Sequence, residues 1–131
     1  MNKILTEVLN MGKYVIKEVA TGVKFDLKAG NGETIGTSEV YTTETACKNG
    51  IESVKKTAPV AGVEDQTIEN YENVKHPKFE IYEDKSGEFR FRLVARNGEN
   101  ILASEGYSSK SACKNGIESV VNNADSPVEK K

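Results

Sequence analysis

The run ACKNGIESV occurs twice, letter for letter, at Ala46–Val54 and Ala112–Val120. An internal repeat constrains a fold more than any local propensity does, because the molecule must be built from two copies of one unit. Shifted by 66 residues, Phe25 falls on Phe91, Leu27 on Leu93, Asn31-Gly32-Glu33 on Asn97-Gly98-Glu99, and Tyr41 on Tyr107. Upstream the shift is 65: Lys13 falls on Lys78, Tyr14 on Phe79, Ile16 on Ile81 and Gly22 on Gly87. The one-residue step lies at the first turn, where length changes cost little. The units are residues 11–66 and 77–131, joined by a polar linker at 67–76 (TIENYENVKH). Residues 1–10 form an N-terminal extension, so that Met11 reads as the ancestral start.

Each unit carries the same local signals. In KFEIYED, Phe79 and Ile81 alternate with Glu80 and Tyr82, the period of a half-buried strand. After a Gly-containing turn, Phe89, Phe91, Leu93 and Ala95 share one face, as Val23, Phe25, Leu27 and Ala29 do in the first unit. Asn-Gly then marks a hairpin. A third strand follows, at Thr34 to Val40 and Asn100 to Gly106. The three-stranded meander has one apolar face, and a helix must cover it. Thr42-Thr43 and Ser108-Ser109 offer N-caps. At 100° per residue Ala46, Cys47, Gly50, Ile51, Val54 and Ala58 form one arc, with Lys48, Asn49, Glu52, Lys55 and Lys56 opposite. Ala58-Pro59 ends the helix. The second Asn-Gly of each unit therefore lies inside a helix. A helical Gly costs about 1 kcal/mol relative to Ala, so Gly50 and Gly116 predict a close approach by the sheet or by the sister helix.

The fold expected is α+β: two β-β-β-α(-β) units in one pseudo-twofold domain, an antiparallel sheet with helices on one side. Net charge is −2 at neutral pH, which gives no bulk attraction to nucleic acid or anionic membrane. No apolar stretch reaches the roughly 20 residues of a membrane helix. The N-terminus has no signal-peptide pattern, so the expected location is cytoplasmic. Two cysteines are too few for a disulfide framework.

The pattern K-F-E-I-Y-x-D-x-x-G-x-[FY]-R-F-R-L, followed by N-G-E and S-E-G-Y-[ST]-[ST]-x-x-x-x-K-N-G-I-E-S-V, resembles the YegP-like family of small bacterial and archaeal proteins. The second unit fits from Lys78 to Val120; in the first, Val40 replaces the family Gly and the first two strands have drifted. The resemblance implies a β-β-β-α-β unit used twice, in tandem or as a dimer of single-unit chains. It also implies last strands that exchange between halves, supplied here by Gly62 to Gln66 and Ser126 to Lys130. A tandem chain with both halves then implies a monomer. The family has no established activity.

The chemical groups are sparse. The single histidine, His76, lies in the linker and reads as an exposed residue. Cys47 and Cys113 occupy matching helix positions and read as small buried hydrophobes more readily than as a disulfide. No metal-ligand spacing or phosphate loop is present, which predicts no cofactor, no metal and no catalytic residues. Glu64-Asp65 and Glu83-Asp84 read as solvating charge. Two groups remain as candidate partner-binding residues. Arg90 and Arg92 share the outer strand face with Lys78 and Tyr82, a surface suited to anions or single-stranded nucleic acid or else to cross-strand pairing with Glu80 or Glu88. Asn49 and Asn115, with the repeated Lys48/Lys114, Glu52/Glu118 and Ser53/Ser119, read either as hydrogen-bonding groups at a contact between the two helices or as the mark of recent duplication or local sequence copying. The function expected is that of a non-enzymatic binding or structural module with an unknown protein or ligand partner; nucleic-acid or anion binding through Arg90 and Arg92 is the alternative.

Overall fold

The computed structural model describes residues 12–131; the N-terminal extension lies outside the described residues. The first repeat runs β1 (Lys13–Val19), β2 (Gly22–Lys28), β3 (Thr34–Thr37), α1 (Glu44–Thr57), a 3-10 turn (Ala58–Val60) and β4 (Gly62–Asp65). The second runs β5 (Lys78–Glu83), β6 (Phe89–Val94), β7 (Asn100–Ala103), α2 (Lys110–Asn123) and β8 (Val128–Lys130). Thr43 and Ser109 cap the helices, each accepting from the backbone N–H three residues on at 3.1 Å. The Asn-Gly hairpins close as expected. Gly32 and Gly98 take positive φ, and Asn31 and Asn97 accept from Glu33 N and Glu99 N at 3.0 Å. The third strands are shorter than expected. Ser38 and Ser104 turn their hydroxyls onto the N–H groups of Phe25 and Phe91 at 2.9 Å, replacing a ladder bond.

The strands form one sheet in the order β4-β5-β6-β7-β3-β2-β1-β8. The expectation of an antiparallel sheet is corrected at both edges: β4 runs parallel to β5, and β8 parallel to β1. Each repeat's last strand thus lies on the other repeat's first strand. Sequence-consecutive parallel neighbours need a return of about a dozen residues, and the linker between β4 and β5 is that return. At the centre, β3 meets β7 with Thr37 opposite Ala103. Those positions are equivalent in the repeat, so a pseudo-twofold axis passes between them.

Both helices cover the same sheet face. Tyr14, Ile16, Phe25, Leu27, Phe79, Ile81, Phe91 and Leu93 form one core with Cys47, Ile51, Val54, Cys113, Ile117 and Val120. Both thiols are buried and free. The Tyr14 hydroxyl donates to the Ala124 carbonyl at 2.7 Å, tying β1 of one repeat to the end of the other's helix.

The helix glycines do mark close approaches, chiefly to a tyrosine ring and, at Gly116, also to Phe91 of the sheet at 3.0 Å, and not to the sister helix. An added Cβ at Gly50 would lie 2.7 Å from Cζ of Tyr41, and at Gly116 2.8 Å from Cζ of Tyr107. Each tyrosine follows its third strand and lies nearly parallel to a core phenylalanine, Phe25 or Phe91. The ring is therefore wedged between helix and sheet. Helix propensity alone favours Gly50→Ala by about 1 kcal/mol. The overlap reverses the sign: urea unfolding should show G50A less stable by about 1–3 kcal/mol. Tyr41→Phe in the same chain should recover part of the loss by removing the nearest atom.

Candidate functional site

The helix-free face of the sheet carries the residues that alternate with the core: Lys78, Glu80 and Tyr82 on β5, Arg90 and Arg92 on β6. The structure brings all five together and sets the cations against acids. Arg92 Nε donates to Glu80 Oε1 at 2.5 Å while its guanidinium lies 4.4 Å from the Tyr82 ring centre. Lys78 Nζ contacts Glu64 Oε2 at 2.7 Å and Glu80 Oε2 at 3.2 Å. Arg90 Nε donates to Asp84 Oδ2 at 2.7 Å, and this partner, with the Ser86 hydroxyl and backbone N–H groups, holds the Asp84 carboxyl well below the usual range. The anion-binding alternative finds no support here, because the charge it needs is engaged by the protein's own carboxylates. In the first repeat, Asp26 replaces Arg92 and takes Lys17 Nζ at 2.7 Å and the Thr37 hydroxyl.

Glu64 corrects the expectation of solvating charge. Its residue is 2% exposed, and it accepts from Gln66 Nε2, Val74 N and Lys78 Nζ, each at 2.7 Å. The linker passes over this edge of the sheet and shuts the pair away from water. The equivalent pair at the opposite edge, Lys13–Glu129 at 3.1 Å, is crossed by no such segment among the described residues, and its side chains are 45% and 57% exposed. Burial alone would raise the Glu64 pKa, but the hydrogen bonds from Gln66, Lys78 and Val74 outweigh it and bring it down from the ordinary 4.5 to about 2. Asp65 likewise is held by Lys110 at 3.0 Å and by Thr67. No sequence signal distinguished Glu64 from Glu129, because the difference lies in the path of the linker.

The repeated polar residues of the helices do not meet between the two helices, correcting that expectation. Asn49 and Asn115 are exposed. They sit on helix flanks beside two equivalent grooves between a helix and the other repeat's last strand. One groove, about 310 Å³, is lined by Ile16, Ile51 and Val128 with Lys48, Asn49 and Glu52 among its walls. The other, about 410 Å³, is lined by Val63, Ile117, Val121, Lys114 and Glu118. The rims differ. Lys48 is held by Glu44 at 3.2 Å, and Glu52 lies 3.9 Å from Lys55. Among the described residues, Lys114 and Glu118 make no ion pair. His76 and Arg96 are exposed. Burial pushes the Cys113 thiol up to about 11, with Asp65 adding to it, and raises that of Cys47 as well. Neither is a poised nucleophile.

A family profile described as "Domain of unknown function (DUF1508)" matches residues 20–65 and 84–129, one match in each repeat. A UPF0339 protein of Mannheimia succiniciproducens is 40% identical over 119 residues, 90% of this chain and 92% of its own. Another, from the ptx operon 5′ region of Stutzerimonas stutzeri, is 72% identical over 46 residues, 35% of this chain and 41% of its own. The solution structure of the Escherichia coli protein of unknown function yegP is similar with a TM-score of 0.76 at 31% identity, covering 92% of this chain and 93% of that one.

The paired edges give a direct comparison of one ion pair in two environments. Removing Glu64 leaves the buried Lys78 with Glu80 alone and the Val74 N–H without its acceptor, so Glu64→Ala should cost about 3 kcal/mol, and Glu129→Ala about 0.5 kcal/mol or less. Because the folded pKa of Glu64 lies below its unfolded value, its contribution is complete above 4.5 and is lost as pH falls toward 2. Urea melts across that window should show wild type losing stability with acid more steeply than E64A.

Proposed function

Starting from a chain that belongs to the DUF1508 family, whose matched members carry no assigned activity, we propose that it works without catalysis, as a monomeric cytoplasmic protein-binding module. The carrying observation is the α2 groove. Val63 and Val121 are 48% and 37% exposed over the buried Ile117, and the rim cation Lys114 and acid Glu118 are unengaged by the described residues. Apolar surface ringed by charge is the form of a recognition site. The occupant that fits is a short peptide segment of a partner protein, with an aliphatic anchor flanked by one acid and one base. The groove of the first repeat has its rim already paired, which makes α2 the principal site.

Among the described residues no group of three or more His, Cys, Asp or Glu side chains is arranged to hold a metal ion, and no helix is long and apolar enough to cross a membrane. The two thiols are buried and raised in pKa.

Selection of a displayed random peptide library against the intact protein tests the proposal. Enriched peptides should share an aliphatic residue with flanking acid and base. Val121→Glu and Lys114→Glu, both at exposed positions, should each weaken a selected peptide about tenfold or more, a loss near 1.4 kcal/mol, with melting unchanged. Peptides that bind both variants as tightly as wild type, or no enrichment at all, would overturn it.

A further inference from the structure

The two repeats are near copies, yet where they meet they differ at three repeat positions, and at each the difference is complementary. The first lies at the axis. Gly36 and Leu102 are equivalent residues and face each other: a Cβ on Gly36 would lie 2.6 Å from Leu102 Cγ. One half supplies the bulk and the other the space. The second and third positions form two equivalent contacts between a last strand and the other repeat's helix. Asp65 of the first repeat meets Lys110 of the second at 3.0 Å, and Lys130 of the second meets Glu44 of the first at 2.7 Å. Strand residue 65 corresponds to 130, since Asp65 pairs with Ile81 as Lys130 pairs with Ile16. Helix residue 44 corresponds to 110. The same contact is thus made twice with its charges exchanged.

We infer that the surface between the repeats is matched so that each repeat accepts the other and rejects a second copy of itself. Two first repeats brought together would set Asp65 against Glu44 twice and leave Gly36 facing Gly36 across a void. Two second repeats would set Lys130 against Lys110 twice and drive Leu102 into Leu102. Like charges in contact repel, buried voids destabilise, and overpacking strains a core, so all of these oppose like-with-like pairing. The edge pairs Lys13–Glu129 and Lys78–Glu64 have the same sense in both halves. They would survive any pairing, so the selectivity resides in the three complementary positions. The partner this surface fits is the unlike repeat, and the partner it excludes is the like repeat of another chain. This holds whether or not the α2 groove binds peptides.

The test uses the full chain with a reporter on the axis. Thr37 opposes Ala103 directly, so like-with-like pairing of second repeats would oppose Ala103 to its own copy. Directly opposed strand residues have Cα atoms about 4.5–5.5 Å apart, within disulfide range. Chains carrying Ala103→Cys are refolded at high concentration and oxidised, and disulfide-linked dimer is measured against chains lacking that substitution. A103C alone should give almost none. D65K/K110E keeps an ion pair at both internal contacts but makes every pairing charge-compatible, and Leu102→Ala removes the clash. Adding these three should raise linked dimer about tenfold or more, the scale set by two ion-pair contacts. Reversing all four charges (D65K/K110E/E44K/K130E) restores selectivity and should return the chain to monomer. D65K/K110E without Leu102→Ala provides a second, better-packed variant, with a smaller rise. Equal linked dimer in A103C and both charge-levelled chains would overturn the inference, as would a four-charge reversal that dimerises as much as they do.

Discussion

Neither repeat completes the sheet with its own last strand. β4 lies on β5 and β8 on β1, so each half's sheet is finished by the other. The rest of the structure depends on this exchange of support. It requires a helix between the third and last strands of each unit to carry the chain across the sheet. It requires a long return between β4 and β5, because those neighbours in sequence are also parallel neighbours in space. It also explains why Tyr14 of the first repeat bonds to the end of the second repeat's helix. Such a half alone would expose both an apolar face and a strand edge, the surfaces most prone to unwanted association.

Duplication inside one chain then permits what a symmetric dimer cannot. At a true twofold axis a residue must face its own copy. Here Gly36 faces Leu102, and the exchanged charges at 44, 65, 110 and 130 follow the same logic. The fused halves were free to become unlike where they touch while keeping the internal scaffold of Tyr or Phe on Phe, Tyr against helix glycine, and capped helix. The linker adds another asymmetry. By passing over β4 and β5 it converts one of two equivalent Lys–Glu pairs into a buried network with Gln66 and Val74. A buried pair of this kind is weak support for stability in itself, but breaking it is costly, so it holds the return in place.

The outer sheet face and the helix flanks divide polar character in different ways. On the sheet, acids and bases neutralise one another at short range, and Arg90, Arg92 and Lys78 become structural. On α2, Lys114 and Glu118 project beside exposed aliphatic residues with no described ionic partner. Charge type alone would have ranked the arginines first as a binding surface. The local supply of counter-charges reverses that ranking.

The amino-acid sequence by itself determined the repeat, the strand and helix order within each unit, the capping residues, the helical nature of the second Asn-Gly, and the core face. These follow from backbone preferences and from apolar periodicities of two and 3.6 residues, which act over short range. Tertiary structure alone decided the parallel edges, the burial of Glu64 against the exposure of Glu129, the tyrosines that fill the space above Gly50 and Gly116, and the pairing of unlike residues at the axis. Glu64 and Glu129 stand in nearly the same local context, Val-Glu-Asp and Val-Glu-Lys. What separates them is the linker crossing one edge and not the other, a contact between segments whose position depends on how the two halves dock. Burial and electrostatic partnership depend on every group that arrives at a point in space, and the local pattern around one residue specifies only its own contribution.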